Sequence, residues 1–355
     1  MSYNTHHYLL MTVDPVHIGT GGARLGRVDL SIVREPGTKL PKIPGTSLSG
    51  AIRQYAAYRY GKRQCAGQGQ SREGREGHCG RPTCPICYTF GAITGERSYS
   101  GVVSIGDARL LLFPVYSMAG PVWVTGPSAL ADFGLKDHKV ANDEARWSGI
   151  TEQKHLNLGW LMVEKEGDLT LSDLPSEIPD TVRERIVLIS DKLFSQVVNS
   201  NLEVRTSVSI NPETGAAEEG ALFTYEAIPR ATFLWMDVVV DDFRGAFPAR
   251  DKLEEWQKAL EEQGDAGKEL LRKWQLWKDS DGNGKLGESA QKALAWVQDD
   301  LGRYANGVSW QDPAGVITAG LEWTEHLGIG GMGTRGFGRV RMVDHWEVAH
   351  EETYA

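Results

Sequence analysis

Apolar positions along this chain fall into short runs broken by glycine, proline and charge, and their spacing predicts the elements. Residues 8–13 form an apolar run with a β-branched end, closed by Asp14-Pro15, as expected of a strand entering a loop. That loop reads His17-Ile18-Gly19-Thr20-Gly21-Gly22-Ala23-Arg24-Leu25-Gly26-Arg27, and residues 28–33 then alternate apolar and polar as a strand or extended rim would. Gly45-Thr46-Ser47 offers hydroxyl caps to a helix over 48–60, whose Leu48, Ile52, Tyr55 and Ala56 recur on one face. A strand over 102–113 is stopped by Pro114, and 121–125 is a second short apolar stretch. Residues 132–180 are polar and irregular, and the pattern over 181–198 predicts a helix.

Residues 203–210 and 221–227 flank Asn211-Pro212-Glu213-Thr214-Gly215, the signature of a protruding hairpin. Residues 231–240 are apolar enough for a buried strand. A helical region over 251–301 is broken at 279–284, another helix is expected over 315–327, and a glycine cluster at 328–338 leads into a strand at 339–343. Short strands mixed with helices and long loops predict an α+β fold with ferredoxin-like sheets and no internal repeat.

Charge changes the picture locally. The 355 residues carry a formal −9, which argues against gripping nucleic acid, yet residues 17–87 hold 12 Lys or Arg against four acids, a local +8. No run approaches the ~20 apolar residues of a membrane span, and the N-terminus is polar without a signal-peptide profile, so a cytoplasmic protein with no membrane partner is expected.

All four cysteines lie between Cys65 and Cys87. Cys84-Pro85-Ile86-Cys87 gives two thiolates from one turn, and Cys79 with Cys65 or His78 completes the set that a closed, structural zinc site prefers. Residues 279–290 follow an EF-hand loop, with Asp279, Asp281 and Asn283 at ligand positions and Gly284 at the turn; Ala290 replaces the closing Glu, so Ca²⁺ binding there is expected to be weak at best. The C-terminal glycine cluster is neither a Walker A nor a Rossmann fingerprint, but its backbone N–H groups, with Arg335 and Arg339, suit an anion. Asp29 is an isolated carboxylate in the basic island, either a salt-bridge partner or a group reserved for a metal ion or a 2′-hydroxyl.

Taken in order, these motifs resemble the RAMP superfamily of CRISPR proteins, in particular the repeated backbone subunit of type III effector complexes. The block from His17 to Gly21, Gly26-Arg27-Val28-Asp29, Arg34-Glu35-Pro36-Gly37-Thr38 and Ile43-Pro44-Gly45-Thr46-Ser47-Leu48-Ser49-Gly50 to Arg53 carries it. Leu110-Leu111-Leu112-Phe113-Pro114 and Pro121-Val122-Trp123-Val124-Thr125-Gly126-Pro127 are similar to the Cmr (type III-B) subunit. The segment ending Cys87-Tyr88-Thr89-Phe90-Gly91 and the loop 330–338 look closer to the Csm (type III-A) counterpart, and Ser49 stands where the family usually has Lys. The resemblance implies a single domain, 1–355, on a modified ferredoxin-like palm, with zinc-containing fingers (61–100), a thumb hairpin (200–230) and an acidic helical insertion (245–305). It implies copies stacked along a CRISPR RNA (crRNA), with other type III subunits and a complementary target RNA as partners. Cleavage of that target would depend on Mg²⁺ or Mn²⁺ and require Asp29. RNA contacts would come from His17, Gly19, Gly21, Arg24, Arg27, Arg34, Ser47, Ser49, Arg53, Arg205, Gly331, Gly333, Arg335 and Gly336.

Overall fold

The computed structural model describes residues 3–21, 28–67, 77–94, 97–278, 283–305 and 307–348. The N-terminal third contributes β1 (Asn4–Thr12), α1 (Gly45–Arg59), α2 (Pro85–Phe90), β2 (Gly91–Thr94), β3 (Arg97–Ser100), β4 (Val103–Ile105), β5 (Arg109–Ser117) and β6 (Gly120–Thr125). The middle adds α3 (Pro127–Phe133), β7 (Glu144–Arg146), β8 (His155–Leu158), β9 (Leu161–Gly167), α4 (Asp180–Arg183), β10 (Ile186–Ile189), α5 (Asp191–Ser200), β11 (Glu203–Ile210), β12 (Ala217–Ala227) and β13 (Phe233–Val240). Three helices, α6 (Arg250–Glu262), α7 (Asp265–Lys273) and α8 (Asn283–Tyr304), then precede α9 (Pro313–Leu327) and β14 (Val340–Val348).

One large sheet orders these strands β14-β1-β13-β5-β6-β10-β7-β9-β8, with β4 paired to β13. Its first four strands, with every neighbouring pair antiparallel and with α1 and α9 as crossovers, have the 4-1-3-2 order of a βαββαβ unit. The ferredoxin-like expectation is therefore visible in the strand order. Strand β1 is central because Tyr8, Leu9 and Leu10 are buried on both faces of the sheet. Helices α1 and α9 pack closely at Gly320, where an added Cβ would lie 2.4 Å from the Ile52 carbonyl oxygen.

Several predicted elements are corrected. The helix expected over 181–198 is α4, β10 and α5, because the four apolar residues Ile186–Ile189 are all buried and pair with β6 and β7. Ser190 then caps α5 by accepting from Leu193 N. The irregular stretch holds β7, β8 and β9. Strand β5 runs through Pro114, which sits opposite Trp123. Of the two alternatives for residues 28–33, the extended rim is what forms, with isolated bridges of Gly19 with Ile32 and Leu30 with Tyr225. Helix α1 begins at Gly45 without a cap from its own hydroxyls; the Asp107 carboxylate accepts from Gly45 N at 2.7 Å instead. Among the described residues, no helix is long and apolar enough to cross a membrane.

Candidate nucleic-acid interface and metal centre

Three remote segments meet at the foot of the β11–β12 hairpin. Tyr225 and Ala227 of β12 pack with Phe337 of the glycine-rich loop, and Leu30, Phe223 and Met332 close over them. This small core is separate from those beneath the large sheet, and it fixes the hairpin against both glycine-bearing loops. Beyond the foot, Val208, Ile210 and Leu222 are exposed, so the hairpin presents apolar side chains to its surroundings.

Asp29 sits on this foot, exposed. Its Oδ2 accepts from Thr224 N at 2.7 Å and from Thr224 Oγ1 at 2.9 Å. Backbone bonds from Leu30 N to Thr224 O and from Glu226 N to Leu30 O run its segment alongside β12. The backbone and side-chain bonds from Thr224 hold the Asp29 carboxyl below its ordinary value, so it is ionised at neutral pH. Among the described residues, Asp29 belongs to no cluster of three or more His, Cys, Asp or Glu side chains placed to share a metal ion.

The surrounding residues divide into structural and open groups. His17 is buried, with Nδ1 2.6 Å from Glu226 O and the ring edge-on to Tyr225, so it packs within the foot of the hairpin. Arg34 is likewise committed: Nη2 donates to Glu226 Oε2 at 2.8 Å and Nε to Asn199 Oδ1 at 2.8 Å. Arg53 donates to the carbonyls of Cys65 and Gly91 at 2.7 and 3.0 Å, tying α1 to the cysteine loop. Arg205 is held by Glu203 and lies 4.6 Å over the Phe337 ring, and Arg339 is paired with Asp14. Exposed Arg335 and Arg230 make no ion pair among the described residues.

The glycine loop also divides. Gly330 has φ +87° and no room for a Cβ, which would meet Ile18 and the His17 carbonyl, whereas Gly333 and Gly336 have nothing within 4 Å and Gly331 only the His17 edge. Gly331 N donates to His17 O, joining this loop to the N-terminal one. Gly19 is filled on one side by the His17 ring, while Gly21 is open. Ser47 and Ser49 are half-buried in the first turn of α1. Arg24 and Arg27 lie outside the described residues. Sequence reasoning missed Thr224, Glu226 and Arg230; the first two stand in the recognised hairpin motif, but nothing local marks their partners, which lie about 195 residues away.

The cysteines form the second centre. Sγ atoms of Cys65, Cys79, Cys84 and Cys87 lie within 4.8 Å of one another, with separations of 3.7 Å (Cys79–Cys87), 3.9 Å (Cys84–Cys65) and 3.7 Å (Cys87–Cys65). A tetrahedral zinc with Zn–S bonds of ~2.3 Å needs sulfur separations of about 3.8 Å. The donor set therefore fits zinc. His78 is not part of it: its ring nitrogens face Gly67 O at 3.1 Å and Ile93 N at 3.3 Å. Bonds from Cys65, Cys84 and Cys87 pull Cys79 down while burial pushes Cys84 up, as expected where thiols this close cannot all ionise without a cation.

The EF-hand-like segment falls partly outside the described residues. Helix α8 starts at Asn283 and Ala290 is buried, so the second half of the would-be loop is helical; Asp279 and Asp281 lie outside the described residues.

A family model described as the RAMP superfamily matches residues 9–291. The CRISPR system Cmr endoribonuclease Cmr4 of Pyrococcus furiosus is 28% identical over 255 residues, 65% of this chain and 80% of that protein. The CRISPR system Cms endoribonuclease Csm3 of Mycobacterium tuberculosis is 46% identical over 43 residues, 12% of this chain and 18% of that protein. The structure of a type III-B Cmr-beta complex bound to cognate target RNA contains a chain similar in fold, with TM-score 0.52 and 16% identity over 67% of this chain and 84% of that one. Oligomeric Cmr4 from Pyrococcus furiosus gives TM-score 0.50 and 19% identity over 98% of this chain and 100% of that one.

Proposed function

Since this chain belongs to the RAMP superfamily, we propose that it is the backbone subunit of a type III CRISPR interference complex, stacking in copies along a guide RNA and cutting the complementary target RNA. Support comes from the curated relative's name as an endoribonuclease, from the similar chain in a complex bound to target RNA, and from the oligomeric state of the similar Cmr4. The observation that carries the reading is the ionised, exposed Asp29 mounted on the foot of a hairpin that presents apolar side chains.

In this reading residues 61–100 are the fingers, 200–230 the thumb and 245–305 an insertion. The thumb parts the guide–target duplex and splays out one target nucleotide, while base pairing supplies sequence specificity. The open glycines Gly331, Gly333 and Gly336, with Arg335, face RNA phosphate, and Arg24 and Arg27 extend that surface. The splayed 2′-oxygen attacks the adjacent phosphorus, the bond to the 5′-oxygen breaks, that oxygen takes a proton from water, and a cyclic phosphate and a 5′-hydroxyl result. Asp29 takes the 2′-hydroxyl proton directly, or would hold Mg²⁺ or Mn²⁺, which would supply charge that eases loss of that proton to water. The cysteine centre holds a structural zinc that orders the fingers.

The hydrogen bonds from Thr224 favour a second reading, a scaffold in which Asp29 only fastens the hairpin. Asp29→Asn keeps an acceptor for Thr224 and removes the charge. In an assembled, guide-loaded complex, lost cleavage with unchanged target binding is expected; unchanged cleavage would leave Asp29 as a fastener of the hairpin and sink its catalytic role.

A further inference from the structure

Beside the foot of the hairpin lies a pocket of about 400 Å³ whose walls carry Asp14, Glu203, Arg205, Arg230, Gly336 and Arg339. Arg205 stands opposite Tyr225 in the β11–β12 register, and Gly336 precedes the Phe337 that packs on Tyr225. Side chains alternate along a strand, so the pocket adjoins the other face of β12 from the Thr224 side chain that holds Asp29. Two of its three cations are held by carboxylates. Arg339 donates from Nε and Nη2 to Asp14 at 2.5 and 3.0 Å, and Arg205 from Nε to Glu203 at 2.6 Å. Arg230 is exposed and makes no ion pair among the described residues. The Asp14 carboxyl is held below its ordinary value by the hydrogen bond from Arg339 and, more weakly, by the charges of Arg339, Arg230 and Arg205, so all three guanidinium groups surround one carboxylate. The turn that carries Arg230 is rigid. Ala231 takes left-handed backbone, φ +63°, which a Cβ disfavours, and is fixed there by Ala231 N donating to Thr12 O and Trp123 Nε1 donating to Ala231 O, both at 2.8 Å. The Thr12 and Thr232 hydroxyls both donate to Pro229 O, at 2.7 and 2.8 Å.

We infer that this pocket binds one internal phosphodiester of RNA, with Arg230 taking its charge and Arg205 and Arg339, held in place by Glu203 and Asp14, donating from beside it. Three guanidinium groups against two carboxylates leave a net +1, the charge that one phosphodiester cancels. A planar guanidinium also matches two phosphate oxygens at once. The inference rests on the RNA reading above and adds to it a phosphate other than the one cut, since Asp29 is fastened through the opposite face of the hairpin.

The test is fluorescence anisotropy of the full-length protein with a labelled, unstructured single-stranded RNA ending in hydroxyls, titrated over a range of salt, then repeated with the complementary strand added. Arg230→Gln, at an exposed position, is expected to melt with the parent, to weaken binding roughly tenfold at physiological salt, and to lower the slope of log K against log salt by about 0.7, the share of one phosphate on a single strand. Arg230→Lys keeps the charge and should keep the slope. Lys258→Gln, exposed on α6 and outside the pocket, should change neither quantity. An effect of Arg230→Gln on the single strand assigns the phosphate to the guide, and an effect seen only with the complement assigns it to the target. An unchanged slope in both arms, or an equal loss in Lys258→Gln, would overturn the inference and leave the cleavage reading intact. A parent protein that binds neither RNA would overturn the RNA reading itself, and this inference with it.

Discussion

Substituting Asp300→Ala tests how α8 is anchored to the cysteine-bearing lobe. The Asp300 carboxylate is fully buried and accepts from Lys62 Nζ at 2.5 Å, Tyr60 OH at 2.9 Å and Thr83 Oγ1 at 2.7 Å. Burial pushes the Asp300 carboxyl up, against the pull of Lys62, Thr83 and Tyr60. Burial also works to lower the Lys62 pKa, but Cys84, Asp300 and Cys79 outweigh it and leave that pKa raised. Removing one partner of a buried pair typically destabilises by 3–5 kcal/mol, roughly, because the other charge stays behind. Asp299 softens this only partly: it is 3.4 Å from Lys62 and already held by Arg81 and Arg303 at 3.0 Å each. The two orphaned hydroxyls share the same carboxylate, so their losses do not add in full, and about 4 kcal/mol is a fair total. With an unfolding entropy of ~2.1 cal/mol/K per residue, a cooperative chain of this length loses about 5 °C in Tm. Differential scanning calorimetry of Asp300→Ala and of Lys62→Met/Asp300→Leu measures both. The double variant should recover the part of the loss due to the stranded Lys62 charge, while the part due to the Tyr60 and Thr83 hydroxyls stays. A single variant melting with the parent, or a double variant no better than the single, would refute the buried-pair argument.

Gly320→Ala sets a helix-propensity gain of up to ~1 kcal/mol against a Cβ 2.4 Å from the Ile52 carbonyl. Backbone cannot yield cheaply, so net destabilisation of about 1–3 kcal/mol is expected in urea titration. Stripping metal with a chelator should release about one zinc per chain and expose residues 61–100 to protease, because binding energy at such sites is folding energy; protease resistance that outlasts metal loss would contradict a structural zinc. Asp29 has a depressed pKa, so its charge is complete above the ordinary value of 3.8 and is lost only as pH falls through the lower, folded-state value. Single-turnover cleavage should therefore show no Asp29 inflection between pH 5 and 8. A titration limb near pH 6 would mean that another group controls the step.

What was legible in the sequence was local. The β11–β12 hairpin was readable because Asn211-Pro212-Glu213-Thr214-Gly215 separates two alternating runs, and the central strand β13 because eight successive residues resist exposure. The cysteine centre was legible by residue type, but spacing could not decide between Cys65 and His78, since that choice depends on how the loop closes. Strand β10 was hidden because Ile186–Ile189 fits either period, and its parallel partner β6 lies about 60 residues upstream. Arg34 and Arg53 illustrate the harder limit. A cation in a basic island suggests phosphate, yet both are absorbed by acceptors of the protein itself, one of them Glu226, 192 residues away. Asp29 stood out through family likeness, while its attachment to Thr224 is a fact of tertiary structure alone.

That attachment has a mechanical consequence. Two bonds from a single residue of β12 make the Asp29 carboxylate and the hairpin one moving part. Under the proposed reading, a hairpin held out of place by a poorly paired target carries the carboxylate out of place with it. Proofreading would then need no separate sensor, because the wedge that tests the duplex also aims the group that cuts it.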